Sequence, residues 1–226
     1  RTAMWRTIRL GIPEPHQEEF IFSDAFHRAI VGGVGSGKTW SGIVLAMKAA
    51  IDMPGVPGAL VNATYTLLED TTLQEWFDVI PPEAYRWRAG RKIIELYNGS
   101  KIYCRSADQP LKRIAGLNLG WVVYDESGLA RDDAAARMLL QRIRRGDPSK
   151  RFFAMVTSPR QHRWLKNWCD RDGMHLIGAT TYDNPHTGDD YKEKMAQEFP
   201  PGTKLHDQEM GGQFISLTGL VYGEWF

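Results

Sequence analysis

The chain has 226 residues, 42% hydrophobic and 24% charged, with a formal net charge of +1. That length suffices for one large domain with a real core, and the composition is ordinary for a globular protein. It excludes a polycation, a disulfide scaffold (Cys104 and Cys169 are the two cysteines), a zinc site with Cys/His spacing, and an apolar run of the ~18 residues a membrane helix needs. The first residues, Arg-Thr-Ala-Met-Trp-Arg, lack the apolar stretch of a secretory signal, and a reducing cytoplasm is expected. Any contact with nucleic acid must come from a local basic patch.

Residues 1–25 read as an N-terminal arm, with Pro13-Glu14-Pro15-His16-Gln17 just ahead of the first strand. The amide of Gln17 offers a donor and an acceptor to an adenine edge; a solvated loop glutamine is the alternative. Phe26 to Val31 reads as a strand, and Lys38 to Asp52 as a helix stopped by Pro54. Between them, Gly32 to Thr39 fits G-x-x-x-x-G-K-[ST], with further glycines at Gly33 and Gly35. Glycines let the amides of Gly33, Val34, Gly35, Ser36 and Gly37 surround phosphate oxygens, and the following helix adds its N-terminal dipole. Lys38 is a point charge for the β- and γ-phosphates, and the Thr39 hydroxyl is a ligand for Mg²⁺.

Gly58 to Ala63 reads as a second strand, and Thr66-Leu67-Leu68-Glu69 as a capping box opening a helix to about Val79. Lys92–Tyr97 and Ser100–Arg105 flank Asn98-Gly99, which predicts a hairpin with a two-residue type I′ turn and so a mixed sheet. Leu119 to Tyr124 is continuously apolar, as in a strand buried on both faces, and ends in Asp125-Glu126. Arg131 to Arg145 reads as a helix closed by Gly146 and Pro148. Phe152 to Val156 is a buried strand running into Thr157-Ser158-Pro159. Then follow a helix from His162 to Asp170, a strand from Met174 to Ala179, a turn at Thr181–Pro185, and helices near Asp189–Phe199 and Thr203–Gly211. The end, Gln213 to Phe226, is apolar and broken by glycines.

This order predicts an α/β three-layer fold with a mainly parallel sheet. Ligands in such sheets sit at the carboxyl ends of strands, so Gly32–Thr39, Asp125-Glu126 and Thr157-Ser158 should share one edge. Asp125 would hold Mg²⁺ opposite Thr39. Glu126 would orient or deprotonate the attacking water, as in ATP hydrolases of the additional-strand class; a strand ending in solvated acids is the alternative. Thr157 and Ser158 have hydroxyls to read the γ-phosphate, or simply form a turn before Pro159. Arg113, in the loop Asp108–Gly116, is a candidate for stabilising phosphoryl-transfer charge, or a solvated loop residue. Basic clusters occur at Arg86-Trp87-Arg88 with Arg91-Lys92, and at Arg142, Arg144, Arg145, Lys150 and Arg151. They suit DNA phosphates, or answer a helix dipole.

Taken in order, these pieces resemble the ATPase domain of the large terminase subunit, the genome-packaging motor of tailed bacteriophages. The matching segments are Pro15–Gln17, Gly32–Thr39, Arg105–Pro110 with Gly116-Leu117-Asn118, Val122–Glu126, Thr157-Ser158-Pro159, Thr180–Pro185, and Gly212-Gln213-Phe214 to Gly219–Tyr222. The resemblance implies an additional-strand, RecA-like ATPase core over residues 1–180 and a small C-terminal lid over 181–226. It implies Gln17 near adenine and Thr157-Ser158 as a coupling motif. It implies an arginine finger acting on a neighbouring ring subunit, with Arg113 the best positional match and Arg105 competing for finger or DNA contact. Arg88, Arg91, Arg105 and Arg144 are the DNA-contact candidates. ATP and Mg²⁺ are the implied cofactors. Double-stranded DNA, the portal protein, the small terminase subunit and further copies in a ring are the implied partners. The site of action would be the host cytoplasm, docked on a procapsid, with no membrane. Full-length members add a nuclease domain with an acidic metal cluster, and the sequence reaches Phe226 with no such cluster remaining, so ATP hydrolysis without DNA cleavage is expected. The alternatives are another RecA-like translocase or helicase, and a non-hydrolysing nucleotide-gated assembly protein, against which Glu126 argues.

Overall fold

A computed structural model describes residues 10–108, 112–160 and 163–215. His162, Gln109, Pro110 and the tail from 216 onward, all named above, lie outside the described residues. The elements run α1 (Pro15–Phe22), β1 (His27–Gly32), α2 (Lys38–Asp52), β2 (Gly58–Asn62), α3 (Tyr65–Leu67), α4 (Gln74–Val79), β3 (Tyr85–Arg88), β4 (Ile93–Leu96) and β5 (Lys101–Ser106). Then come α5 (Lys112–Ala115), β6 (Trp121–Asp125), α6 (Ala134–Leu140), β7 (Phe152–Thr157), α7 (Arg163–Cys169), β8 (Met174–Ala179), α8 (Asp189–Glu198) and α9 (Lys204–Glu209).

The strands form one eight-stranded sheet in the order β3-β4-β5-β2-β6-β7-β1-β8. From β5 to β8 every pairing is parallel; β4 and β3 join antiparallel at one edge. β7 lies between β1 and β6, which is the additional strand.

The continuously apolar strands serve both faces. Trp121, Val123, Ala154 and Val156 pack with α2 and α4 around Ile43, Met47 and Trp76. The alternate residues Val122, Tyr124, Phe153 and Met155 pack with Leu139 of α6 and Leu165 of α7 on the other side. Burial of this kind, about 25 cal/mol for each Å² of apolar surface, holds the three layers together. Gly58 of β2 lies against the ring of its β6 neighbour Trp121: a Cβ on Gly58 would sit 2.0 Å from Trp121 Cε2.

Several expected elements differ. Gln17 lies in a helix, α1, because Pro15 suits a first helical turn and Glu14 and Gln17 form a reciprocal cap. The helix after β2 is capped by Thr64, whose side chain accepts from Leu67 N, not by Thr66. It then widens into a π-helix over Leu68–Leu73, with the Thr71 hydroxyl donating to Leu67 O at 2.6 Å. The hairpin turn is not type I′, which needs positive φ at both central residues. Only Gly99 is left-handed (φ 89°) within it, and its N–H bonds Leu96 O at 3.0 Å. Asn98 instead spends its side chain on Ala50 O and Ser100 N. The expected helix Arg131–Arg145 is helical only over α6. Past Leu140 the backbone leaves to pair with the start of the β6 segment: Leu119 N–H bonds Arg142 O, and Arg144 N–H bonds Leu119 O, each at 2.8 Å. β3 is an extra strand, built from the basic-aromatic Arg86-Trp87-Arg88 stretch that alternates too briefly to announce itself.

Candidate active site

The carboxyl ends of β1, β6 and β7 converge. β1 ends at Gly32, the loop runs to Gly37, and α2 begins at Lys38. Gly37 has φ 79°, and a Cβ there would meet Gln17 Nε2 at 2.3 Å. Gln17 is buried, donates weakly to Gly37 O (3.5 Å) and accepts from Glu14 N. It therefore fastens α1 to the loop.

Lys38 is buried, and its ammonium donates to Gly33 O at 2.6 Å. Burial lowers its pKa, while Glu126 and Asp125 oppose that by attraction. Thr39 Oγ1 donates to Asp125 Oδ1 at 3.4 Å, so the helix start and the end of β6 meet. Asp125 is 2% exposed. Burial first, then repulsion from Glu126, pushes its pKa up to about 7, against hydrogen bonds from Thr72 and the Glu126 amide. Glu126 adopts the left-handed region (φ 45°), rare for a non-glycine, and its Oε2 is buried without a hydrogen-bond partner.

The oxygen donors of Thr39 and Asp125 suit a hard cation. A buried carboxylate pair with an orphaned oxygen is the environment that a divalent ion would relieve. Among the described residues no group of three or more His, Cys, Asp or Glu could hold a metal alone.

Thr157 and Ser158 are buried at the same edge. Thr157 Oγ1 accepts from Gly128 N and donates to Ser158 O, both at 2.9 Å, so it is tied to the loop that follows Glu126. Arg113 is exposed on α5, which follows β5 in the chain and packs on α6, with Ile114 buried in the same cluster as Val122, Tyr124 and Leu139. Arg105 lies over the Tyr103 ring, and its Nη1 donates to the carbonyls of Arg91, Lys92 and Cys104. Arg88 pairs with Glu95 at 2.8 Å, and Arg91 lies near it in the β3–β4 turn, away from the loop. Arg144 donates to Asn118 Oδ1 at 3.1 Å.

Sequence reasoning missed Thr72, which donates to Asp125 Oδ2 at 2.8 Å and accepts from Asn62 at 2.9 Å. A polar residue ending an apolar strand, Asn62, was the available signal. It also missed the C-terminal contacts on the loop. Thr181 Oγ1 donates to Val34 O, Asn184 Nδ2 and Thr187 Oγ1 both donate to Gly35 O, and Val34 N donates to Glu209 O.

A comparison with protein-family models matches residues 29–226 to the N-terminal domain of the T4likevirus-type large terminase subunit. The chain belongs to this large terminase family. The terminase fold is seen again in solved structures. The large terminase of a thermophilic bacteriophage superposes with a TM-score of 0.75 at 14% identity, over 89% of this chain and 53% of that one. The same protein in complex with ADP gives 0.74 at 15%, over 89% and 54%. The large terminase ATPase domain of Thermus phage P74-26 gives 0.65 at 17%, over 90% and 94%. This chain thus spans about half the length of the first of these proteins. No curated protein matches. At these identities the superpositions establish the fold: a RecA-like terminase domain with a mostly parallel sheet. No helix among the described residues is long and apolar enough to cross a membrane.

Proposed function

We propose that this domain binds ATP with Mg²⁺ and hydrolyses it to drive double-stranded DNA into a capsid. The observation that carries the reading is the meeting of Lys38, Thr39, Asp125 and Glu126 at one sheet edge, with β7 inserted between β1 and β6. Amides of Gly33–Thr39 cradle the phosphates, and Lys38 exchanges Gly33 O for β- and γ-phosphate oxygens. Thr39 and Asp125 hold Mg²⁺, which when bound neutralises phosphate charge and polarises the γ-phosphoryl group. Glu126 holds the attacking water and takes its proton. Gln17 flanks the base. Thr157 and Ser158 carry changes at the γ-phosphate into the loop beyond Glu126. Residues 181 onward act as a lid on the 1–180 core, which the bonds from Thr181, Asn184 and Thr187 to the phosphate loop support. The thermophilic phage terminase has been solved in complex with ADP and with ATP-gamma-S, which supports nucleotide binding as a property of the fold.

Arg113 serves a neighbouring subunit. On this reading the finger works across a homo-oligomeric ring, and the exposure of Arg113 on α5 supports its being offered to a neighbour. Arg88, Arg91, Arg105 and Arg144 are proposed phosphate contacts to DNA, because packaging must tolerate any sequence. The portal protein and small terminase subunit are the proposed docking partners, in the host cytoplasm. The test is turnover per subunit against protein concentration. A rise with concentration that Arg113→Ala abolishes supports the motor; a turnover that survives Glu126→Ala refutes hydrolysis at this site.

A further inference from the structure

Arg160 stands two residues past Ser158, where the chain leaves β7 at the edge that holds Lys38 and Glu126. Its Cγ lies against the loop that follows Glu126: a Cβ on Gly128 would meet it at 3.1 Å. Its Nη1 is 3.7 Å from Glu209 Oε1, at the end of α9. The backbone of that same Glu209 accepts from Val34 N of the phosphate loop at 2.8 Å. One residue therefore touches the phosphate loop with its carbonyl and the guanidinium with its carboxylate. Arg160 and Glu209 both act on the Lys38 ammonium, the first repelling and the second attracting. The guanidinium is thus within charge range of the group that meets the γ-phosphate.

The Arg160–Glu209 pair is loose. Guanidinium–carboxylate bonds close to about 2.7–2.9 Å when well made, and are often bidentate. Here the contact is longer, Glu209 Oε1 already accepts from Gln208 Nε2 at 2.8 Å, and Arg160 Nε is buried without a hydrogen-bond partner. An arginine with an unspent buried donor, held by a half-satisfied carboxylate beside a phosphate-binding lysine, is arranged to accept a better anion.

We infer that Arg160 is a catalytic residue acting in cis, whose guanidinium binds the γ-phosphate, and that Glu209 is the counter-ion that competes for it. The inference rests on the ATP reading above and adds a cation supplied by the same chain, distinct from the trans-acting Arg113. A γ-phosphate offers three anionic oxygens, which match the guanidinium fork better than one carboxylate oxygen. Releasing Arg160 leaves Glu209 without its cation at the point where α9 is bonded to Val34. The γ-phosphate would thus be reported to the C-terminal helices through a single residue.

The test uses fluorescent analogues of ADP and of non-hydrolysable ATP, titrated with Mg²⁺ into the domain. In Arg160→Ala the ATP analogue should bind about tenfold more weakly while ADP stays within about twofold, a loss confined to the third phosphate. Arg160→Lys, which keeps the charge and the fold but not the fork, should lose about threefold for the ATP analogue. Glu209→Gln keeps the backbone bond to Val34 and removes the competitor, so the ATP analogue should tighten by about threefold. Equal weakening of both nucleotides in Arg160→Ala and Arg160→Lys would overturn the inference and make Arg160 a structural residue. No change in either variant would overturn it as well. If the unaltered protein binds neither nucleotide, the ATP reading itself fails; if it binds both and Lys38→Ala abolishes this, only the Arg160 assignment is at stake.

Discussion

Thr72 donates its hydroxyl hydrogen to Asp125 Oδ2 at 2.8 Å, and both side chains are almost wholly buried. Thr72 sits in the π-helical turn Leu68–Leu73, and its oxygen accepts from Asn62 at the end of β2. A wide turn of this kind carries a side chain inward that a regular α-helix would place elsewhere, and such turns recur at functional sites. The Asn62–Thr72–Asp125 chain orients the carboxylate proposed to hold the metal, with Thr39 on its other oxygen.

Thr72→Val should therefore lower metal affinity more than fold stability. Titration with Mn²⁺ followed by paramagnetic resonance is expected to show about tenfold weaker binding, as when an outer partner of a metal ligand is removed. Thr72→Ser, which keeps the hydroxyl, should restore it. Equal affinities for all three proteins would show that Thr72 only packs.

Glu126→Gln should abolish turnover, by on the order of a hundredfold or more, while nucleotide binding persists. The amide fits the same space, keeps the backbone bond to Asp125 Oδ1 and cannot take a proton from water. Single-turnover hydrolysis beside equilibrium binding separates the two effects.

Gly58→Ala should destabilise the domain by about 1–3 kcal/mol, the range for forcing a methyl group into a packed core. The added Cβ would stand 2.0 Å from the Trp121 ring, which is fully buried and stacks on Phe152. Urea unfolding is the measurement. The neighbouring change Ala59→Gly adds no atom and serves as a contrast without a clash.

His27 makes stability depend on mild acid. Burial, and then the positive charge of Arg171, lower its pKa from 6.5 to about 4. Arg171 donates to its Nδ1 at 2.7 Å, a bond that only the neutral ring accepts. Between those two values the unfolded chain binds more protons than the folded one, so stability rises with pH across the window. It is complete above pH 6.5 and falls progressively as the pH drops towards 4. His27→Gln should flatten that part of a denaturation-midpoint profile; a profile unchanged by the substitution would exclude His27 as its source.

Much of this protein is legible in the sequence because it is written locally. A phosphate loop needs glycines at fixed offsets and a strand and helix on either side, and Gly32–Thr39 supplies all of these within one short stretch. Asp125-Glu126 follows an apolar run long enough to bury a strand on both faces, so its place at the sheet edge follows from the run. α2 occupies the bounds its apolar pattern and Pro54 prescribe.

What the tertiary structure alone decided lies between segments far apart in the chain. Asn98-Gly99 carries a type I′ signature, yet Asn98 found Ala50 O across the fold, and that bond selected another turn. The helix expected to Arg145 ends at Leu140 because Arg142 and Arg144 exchange backbone bonds with Leu119. Thr72 reaches Asp125 across 53 residues, and Arg160 meets Glu209 only because β7, β1 and the C-terminal helices gather at one edge. Periodicity and turn chemistry act over a few residues. Hydrogen bonds between remote side chains depend on strand order, and strand order is set by burying the whole core at once.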